Sequence, residues 1–306
     1  MSALRALAPM TAAELVAALG QPARIVGDPA RRIESLAPLE AVGPGALAFA
    51  KLRPADLRAS GAVVIVPAPA DDALSSGAAD GVTLIHVADP RTYFIRAARH
   101  LVGPERHPLP GRAGSAVVAA DADVGDDVHL GPAVVVGAGA VIGRGSVLYA
   151  GARIHDGVEI GEGTVVQANA VVGSQGQAYE RDSDGAILEL PHLGRVIIGA
   201  RSRIGANTTI VRGTLRDTVI GADTSIGNNV NIGHNVVVGA RCFVGAGVVL
   251  AGSSSVGDDS WVSPGVVVRG VAVGRSVTLG AGAIVTRPIP DGKTANGFPA
   301  RVTAGD

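Results

Sequence analysis

The sequence predicts a mainly β protein: a parallel β-helix of hexapeptide repeats preceded by a small α/β domain. An aliphatic residue recurs every six positions from Val118 through Val124, Leu130, Val136, Ile142, Leu148, Ile154, Ile160 and Val166 to Val172. The beat resumes at Ile198, Ile204 and Ile210, runs again from Ile220 to Val268, and closes with Val273, Leu279 and Val285. The residue that follows is very often glycine, as at Gly125, Gly143, Gly205 and Gly233. A fixed period of this kind marks a hexapeptide β-helix, in which three hexads make one triangular coil of about 18 residues. Coils touch only their neighbours, so the core grows along one axis and needs few aromatic side chains. An aromatic content of 3% agrees.

The elements follow in order. Residues 1–102 do not keep the beat and read as a small α/β domain. Thr11 to Leu19 is predicted helical: Thr11 caps it, Glu14 completes a capping box and Gly20 ends it. Ala62 to Val66 and Val82 to Val87 are β-rich runs. Pro90 to Leu101 is expected to be a helix with Tyr93, Ile95 and Ala98 on its apolar face. Gly103, Pro104, Pro108, Pro110 and Gly111 mark a linker over 103–115. The β-helix is expected over 116–287 and a tail over 288–306. Within each hexad the aliphatic points into the prism. The small residue four places later, such as Ala140 or Thr224, tucks inward near the corner, and the glycine is expected to give the backbone room to turn.

A solenoid tolerates insertions only as external loops. The spacing from Val172 to Ile198 therefore ejects a polar loop containing Ser174 to Asp182, and that from Ile210 to Ile220 ejects Arg212 to Asp217. Long loops on a rigid scaffold are where ligand contacts usually sit.

Composition narrows the function. Net charge is −1 and the pI about 6.7, so no electrostatic argument favours nucleic acid. The single cysteine, Cys242, cannot form an internal disulfide and sits at a packing position four after Val238. No run resembles a membrane span. Met1 to Gly20 lacks the layout of a signal peptide, so a cytoplasmic protein is expected. No histidine cluster has metal-ligand spacing, and neither a metal nor another cofactor is predicted.

One histidine stands apart. His234 lies two places after inward Ile232, so its imidazole should face outward. Gly252 comes eighteen residues later, one coil away and beside it. A histidine base next to a free backbone N–H suits acyl transfer: the imidazole takes the proton of an attacking amine or hydroxyl, and the amide stabilises the oxyanion. His155, His129 and His192 are weaker candidates, the last because it lies in the first loop.

Beyond the hexads, Leu190-Pro191-His192-Leu193-Gly194-Arg195-Val196, Ile204-Gly205-Ala206-Asn207-Thr208-Thr209-Ile210, Ile232-Gly233-His234-Asn235 and Leu250-Ala251-Gly252-Ser253 follow an N-terminal stretch with Ile33-Glu34-Ser35-Leu36 and Gly45 to Phe49. The chain resembles the UDP-3-O-acylglucosamine N-acyltransferases of lipid A synthesis over nearly its whole length. The resemblance implies a homotrimer of left-handed parallel β-helices with active sites between subunits. It implies transfer of a 3-hydroxyacyl chain from acyl carrier protein to the 2-amine of a UDP-sugar, the thioester being a cosubstrate. His234 matches the family's general base and Gly252 its oxyanion amide. The N-terminal domain would help hold uridine, with Phe49 a candidate contact. Tyr179, Asn228, Asn231, Asn235 and Arg269 complete the candidate substrate-binding set. The sequence also departs from the family. Gly227 stands where it usually has an Asp seven before the histidine, Val211 where it has a second Asp, and Leu52-Arg53-Pro54-Ala55 where it has Asn-Pro-Lys-Tyr. Asn228, Asn229 and Asn231 are alternative replacements for the lost acid. These departures, and a short tail after Gly297-Phe298-Pro299-Ala300, leave two other readings: a paralogue using a coenzyme A thioester on another sugar nucleotide or amine, and a non-catalytic trimeric scaffold.

Overall fold

The computed structural model of the protein describes residues 7–51, 60–68, 81–103 and 107–303. Leu52 to Ala55 and Pro104 lie outside the described residues. The chain forms two compact units, residues 1–106 and 107–306.

The first unit is a five-stranded sheet in the order Arg24–Val26, Thr83–Val87, Val63–Pro67, Ala46–Phe49, Ser35–Leu36, parallel except at the Arg24 edge. Helix α1 (Ala12–Leu19) begins as its sequence dictates: Thr11 accepts from the Glu14 amide, Glu14 reaches back to the Thr11 N–H, and Gly20 closes the end in the left-handed region. Helix α2 (Pro90–Val102) is capped by Asp89. It buries Tyr93, Ala97 and Leu101 against Leu47, Val63, Ile65 and Ile85. Ile95, expected on that face, is 49% exposed. At 100° per residue the buried stripe advances in fours from Tyr93, and Ile95 falls about 200° away.

The second unit is a left-handed β-helix whose three walls are parallel sheets. Residues one coil apart pair directly: Val136 with Ile154, Ile142 with Ile160, Leu148 with Val166. The pairing of the inward residues carries across both insertions, Ile160 to Ile198 and Ile210 to Ile232, with one register irregularity where the first insertion leaves, between Val172 and Ser174. The aliphatic column from Val136 to Val285 is buried throughout. The solenoid is longer than the beat of six. Gly111–Arg112 already pairs with His129–Leu130, and Thr294–Asn296 adds a strand to Thr278–Leu279 before Arg301–Thr303 returns antiparallel. These end strands use backbone pairing without the aliphatic–glycine signature, so their place lies within the expected linker and tail.

The glycine after each inward aliphatic proves to serve clearance rather than turning. A Cβ on Gly125 would lie 2.8 Å from the Arg144 amide nitrogen of the next coil, and one on Gly227 would lie 2.7 Å from that of Ala246. The left-handed corner falls two residues later, for instance at Gly145 (φ +67°) and Asn229 (φ +55°).

One corner of the prism carries polar groups inside the core. Ser146, Thr164, Ser202, Thr224, Cys242 and Ser260 occupy equivalent places in successive coils and are all buried. Each hydroxyl donates to a glycine carbonyl further along the solenoid, as Ser202 to Gly221 (3.0 Å) and Thr224 to Gly239 (2.8 Å). Several also accept an amide from the next coil, as Thr224 Oγ1 does from Cys242 (3.1 Å). The Cys242 thiol does the same toward Gly257 at 3.2 Å, and burial pushes its pKa up, which fits a packing role. Replacing fully buried Ile204 by alanine removes a full layer of packing and should cost about 2–5 kcal/mol, measured by denaturant unfolding.

Candidate active site

The register of the coils builds the site. Asn231–Ile232 pairs with Val249–Leu250, so the corner residue His234 stacks on Gly252. At some equivalent corners the backbone N–H is capped by an acidic or amide side chain one coil on. Ala138 donates to Asp156 (2.9 Å), Ala206 to Asn228 (2.8 Å) and Ala240 to Asp258 (2.9 Å). The next coil beyond Gly252 presents Gly270, which has no side chain to offer. The Gly252 N–H accordingly makes no hydrogen bond among the described residues. A Cβ on Gly252 would lie 2.5 Å from His234 Nε2, so only glycine leaves room for the imidazole here.

The two loops that interrupt the beat close around this point. The first rises as a hairpin, Tyr179–Arg181 against Ile187–Glu189, with Asp182 accepting the Asp184 and Ala186 amides at its turn. It returns along the second loop. Leu193 N–H donates to the Thr214 carbonyl (2.6 Å), Gly194 N–H to that of Gly213 (3.0 Å), and Arg195 N–H to Asp217 (2.7 Å). Arg195 also pairs with Asp217 and Glu159. This zipper buries His192 at 3% exposure. Its ring stands edge-on to that of His234, with centroids 5.6 Å apart at 75°, and neither of its nitrogens has a hydrogen-bond partner among the described residues. Burial, and secondly the neighbouring His192, hold the pKa of His234 below the ordinary imidazole value.

The other side of His234 meets the second loop. Asn235 is buried, and its amide nitrogen lies 3.2 Å from His234 Nδ1 and 2.8 Å from Thr214 Oγ1. Its oxygen accepts the Thr214 backbone N–H at 2.8 Å. The side chain is thus engaged with Thr214 and His234 rather than turned out toward a ligand.

The remaining candidates are dispersed. Asn228 caps Ala206, and Asn229 forms a left-handed corner. Asn231 is exposed on the outer wall beside the site, and Arg269 is exposed. Tyr179 lies on the exposed hairpin. Phe49, in the first unit, is half-buried with its ring centroid 5.0 Å from that of Phe94. None of Asn228, Asn229 or Asn231 makes a hydrogen bond to the imidazole; Asn235 does. His192 was a weak candidate on sequence. The only available signal was that its loop leaves the prism at the same corner, two coils before His234. Among the described residues no group of three or more His, Cys, Asp or Glu converges as a metal site. No helix among them is long and apolar enough to cross a membrane.

An outward histidine over an uncapped amide, on a coil of hexads, defines a hexapeptide-repeat transferase. Residues 139–174 and 217–252 match the family described as bacterial transferase hexapeptide (six repeats), and 195–222 match the hexapeptide repeat of succinyl-transferase. The chain belongs to the UDP-3-O-acylglucosamine N-acyltransferase family. A member from Caulobacter sp. (strain K31) is 37% identical over 96% of this chain and 90% of its own length. One from Aromatoleum aromaticum is 47% identical over 68% of this chain, and one from Paraburkholderia phymatum is 45% identical over 64%. Those two matches span 65% and 62% of the relatives' own length, under two thirds of each. Among solved structures, the UDP-N-acetylglucosamine acyltransferase from Campylobacter jejuni superimposes with a TM-score of 0.58 at 27% identity, covering 63% of this chain and 74% of that one.

Gly252→Ala should leave the melting temperature near that of the wild type. Because the new methyl must push the imidazole off the amide, transfer activity should fall by about a hundred- to a thousandfold.

Proposed function

We propose that the protein is an N-acyltransferase that moves a 3-hydroxyacyl chain from a carrier-protein thioester to the 2-amine of a UDP-3-O-acylglucosamine-like nucleotide, as a cytoplasmic homotrimer. The observation that carries this reading is the His234 imidazole stacked on the uncapped Gly252 amide. The amine nitrogen attacks the thioester carbonyl, and negative charge collects on the carbonyl oxygen. The Gly252 N–H is placed to accept that charge, and a fixed donor in a poorly hydrated site needs no reorganisation as the charge appears. His234 takes the proton released from the amine as the new C–N bond forms. The C–S bond then breaks, and the thiol leaves with a proton. The depressed pKa of His234 keeps the ring unprotonated, and so able to act as base, at neutral pH. The zipped loops supply an irregular rim for acceptor recognition, and Phe49 in the N-terminal unit is the proposed uridine contact.

His234→Ala should lower kcat by about a hundred- to ten-thousandfold with the fold intact. Near-normal transfer by this variant sinks the mechanism. Assayed side by side, the acyl-carrier-protein donor should be turned over and the matched acyl-coenzyme A should not; the reverse outcome moves the protein to another acyl donor. The base must be unprotonated, so activity is lost as pH falls through the His234 pKa. The acid limb of kcat/KM should therefore lie below about 6.5, the unperturbed imidazole value, and should rise in His192→Phe, which removes the neighbouring imidazole.

A further inference from the structure

The hydrogen bonds around Asn235 fix more than its own position. The Thr214 backbone N–H can only donate, so the Asn235 atom it meets at 2.8 Å is the amide oxygen. The atom facing His234 Nδ1 at 3.2 Å is then the NH₂ group, which can only donate. A ring nitrogen that receives a hydrogen bond is the unprotonated one. The neutral imidazole therefore carries its proton on Nε2, the nitrogen over Gly252.

We propose that Asn235, oriented by Thr214, is a positioning residue that holds His234 in the Nε2–H tautomer, so that the base is latched in the free enzyme and released only when the second loop gives way. The inference rests on His234 being the base. In the latched ring, Nε2 offers a proton to the cleft and Nδ1 is occupied, so no lone pair is open to an amine. Moving the ring proton to Nδ1 frees Nε2, but Nδ1–H would then confront the Asn235 NH₂. Relief requires the amide to turn, which breaks its bond to Thr214 in the loop of residues 212–217. That loop is zipped to the returning strand of the first insertion through Leu193 and Gly194, so both loops bear on the base. The other polar groups against the ring come from the same loops. His192 faces its edge without a hydrogen-bond partner among the described residues. Arg216 donates to the Asn235 carbonyl (3.4 Å), and Arg212 to that of Gly194 (2.8 Å). Gly252 and Ser253 of the next coil bring no charge.

The test is ¹⁵N NMR on protein labelled selectively at histidine, with the His234 signals assigned by their loss in His234→Gln. Above the His234 pKa, the wild-type ring should show a protonated Nε2 and a bare Nδ1. Asn235→Asp keeps an oxygen for the Thr214 amide and turns an acceptor toward Nδ1. Its ring should change to the Nδ1–H form, and the acid limb of kcat/KM should rise by about one pH unit, a tenfold gain in proton affinity, as an adjacent carboxylate produces. A wild-type ring protonated on Nδ1 overturns the proposal. So does an Asn235→Asp protein in which neither tautomer nor limb moves. Should that variant not fold, the wild-type spectrum alone decides. The tautomer is read without turnover, so its outcome is separate from the loss or survival of activity in His234→Ala.

Discussion

Every position in the solenoid lies directly over its own copies in the coils before and after. The rest of the structure depends on this stacking. An aliphatic must meet an aliphatic, as Ile142 meets Ile160. A glycine must leave space for the backbone above it, as Gly125 does for Arg144. A corner amide can be capped by an acceptor one coil on, as Ala138 is by Asp156. The site uses a corner where no such cap is available. With Gly270 next in its column, the Gly252 amide is left open beside His234. An unpaired donor costs about 1–3 kcal/mol when shielded from water, a cost small beside the apolar burial along the prism axis. A rigid repeat can therefore carry a reactive defect without distortion elsewhere.

The same stacking made much of the protein legible in the sequence. Periodicity alone places Ile232 inward and His234 outward, and counting eighteen residues reaches Gly252. Periodicity is silent wherever the chain leaves the prism. His192 could not be joined to His234 from spacing, because the hairpin between Tyr179 and Glu189 hides the path by which its loop returns. Asn235 was legible as a neighbour of the histidine. Its engagement with Nδ1 was not, since that depends on Thr214 arriving from a separate insertion. Ile95 failed for a simpler reason: a helix of 13 residues with several apolar positions admits more than one stripe, and packing on the sheet selects Tyr93, Ala97 and Leu101.

The surroundings of His234 are unusual for a base in having no carboxylate. A carboxylate accepts from Nδ1–H, strengthens the base and fixes the tautomer that leaves Nε2 bare. Gly227 brings no acid to the site, and the imidazole instead sits between a second imidazole and an amide. Both neighbours favour the uncharged ring: His192 is delivered by the first insertion, and Asn235, on the coil itself, is oriented by Thr214 of the second. The wall supplies the fixed donor, whereas the insertions govern the proton.

The polar corner has a bearing on how the chain finds its register. Hexads are nearly interchangeable by shape and hydrophobicity, so a strand displaced by one hexad during folding would bury almost the same apolar surface. It would not reproduce the hydroxyl column. Ser146, Thr164, Ser202, Thr224, Cys242 and Ser260 share one corner, and a shift of six residues would carry them to another, where valines and alanines such as Val134, Ala152 and Val248 prevail around a single Thr208. Each misplaced hydroxyl would exchange its own glycine carbonyl and amide for those of another corner, as Thr208 uses Gly227 and Val230. The buried serines and threonines thus mark one corner of an otherwise repetitive thread, a difference between windings that the hydrophobic pattern alone lacks.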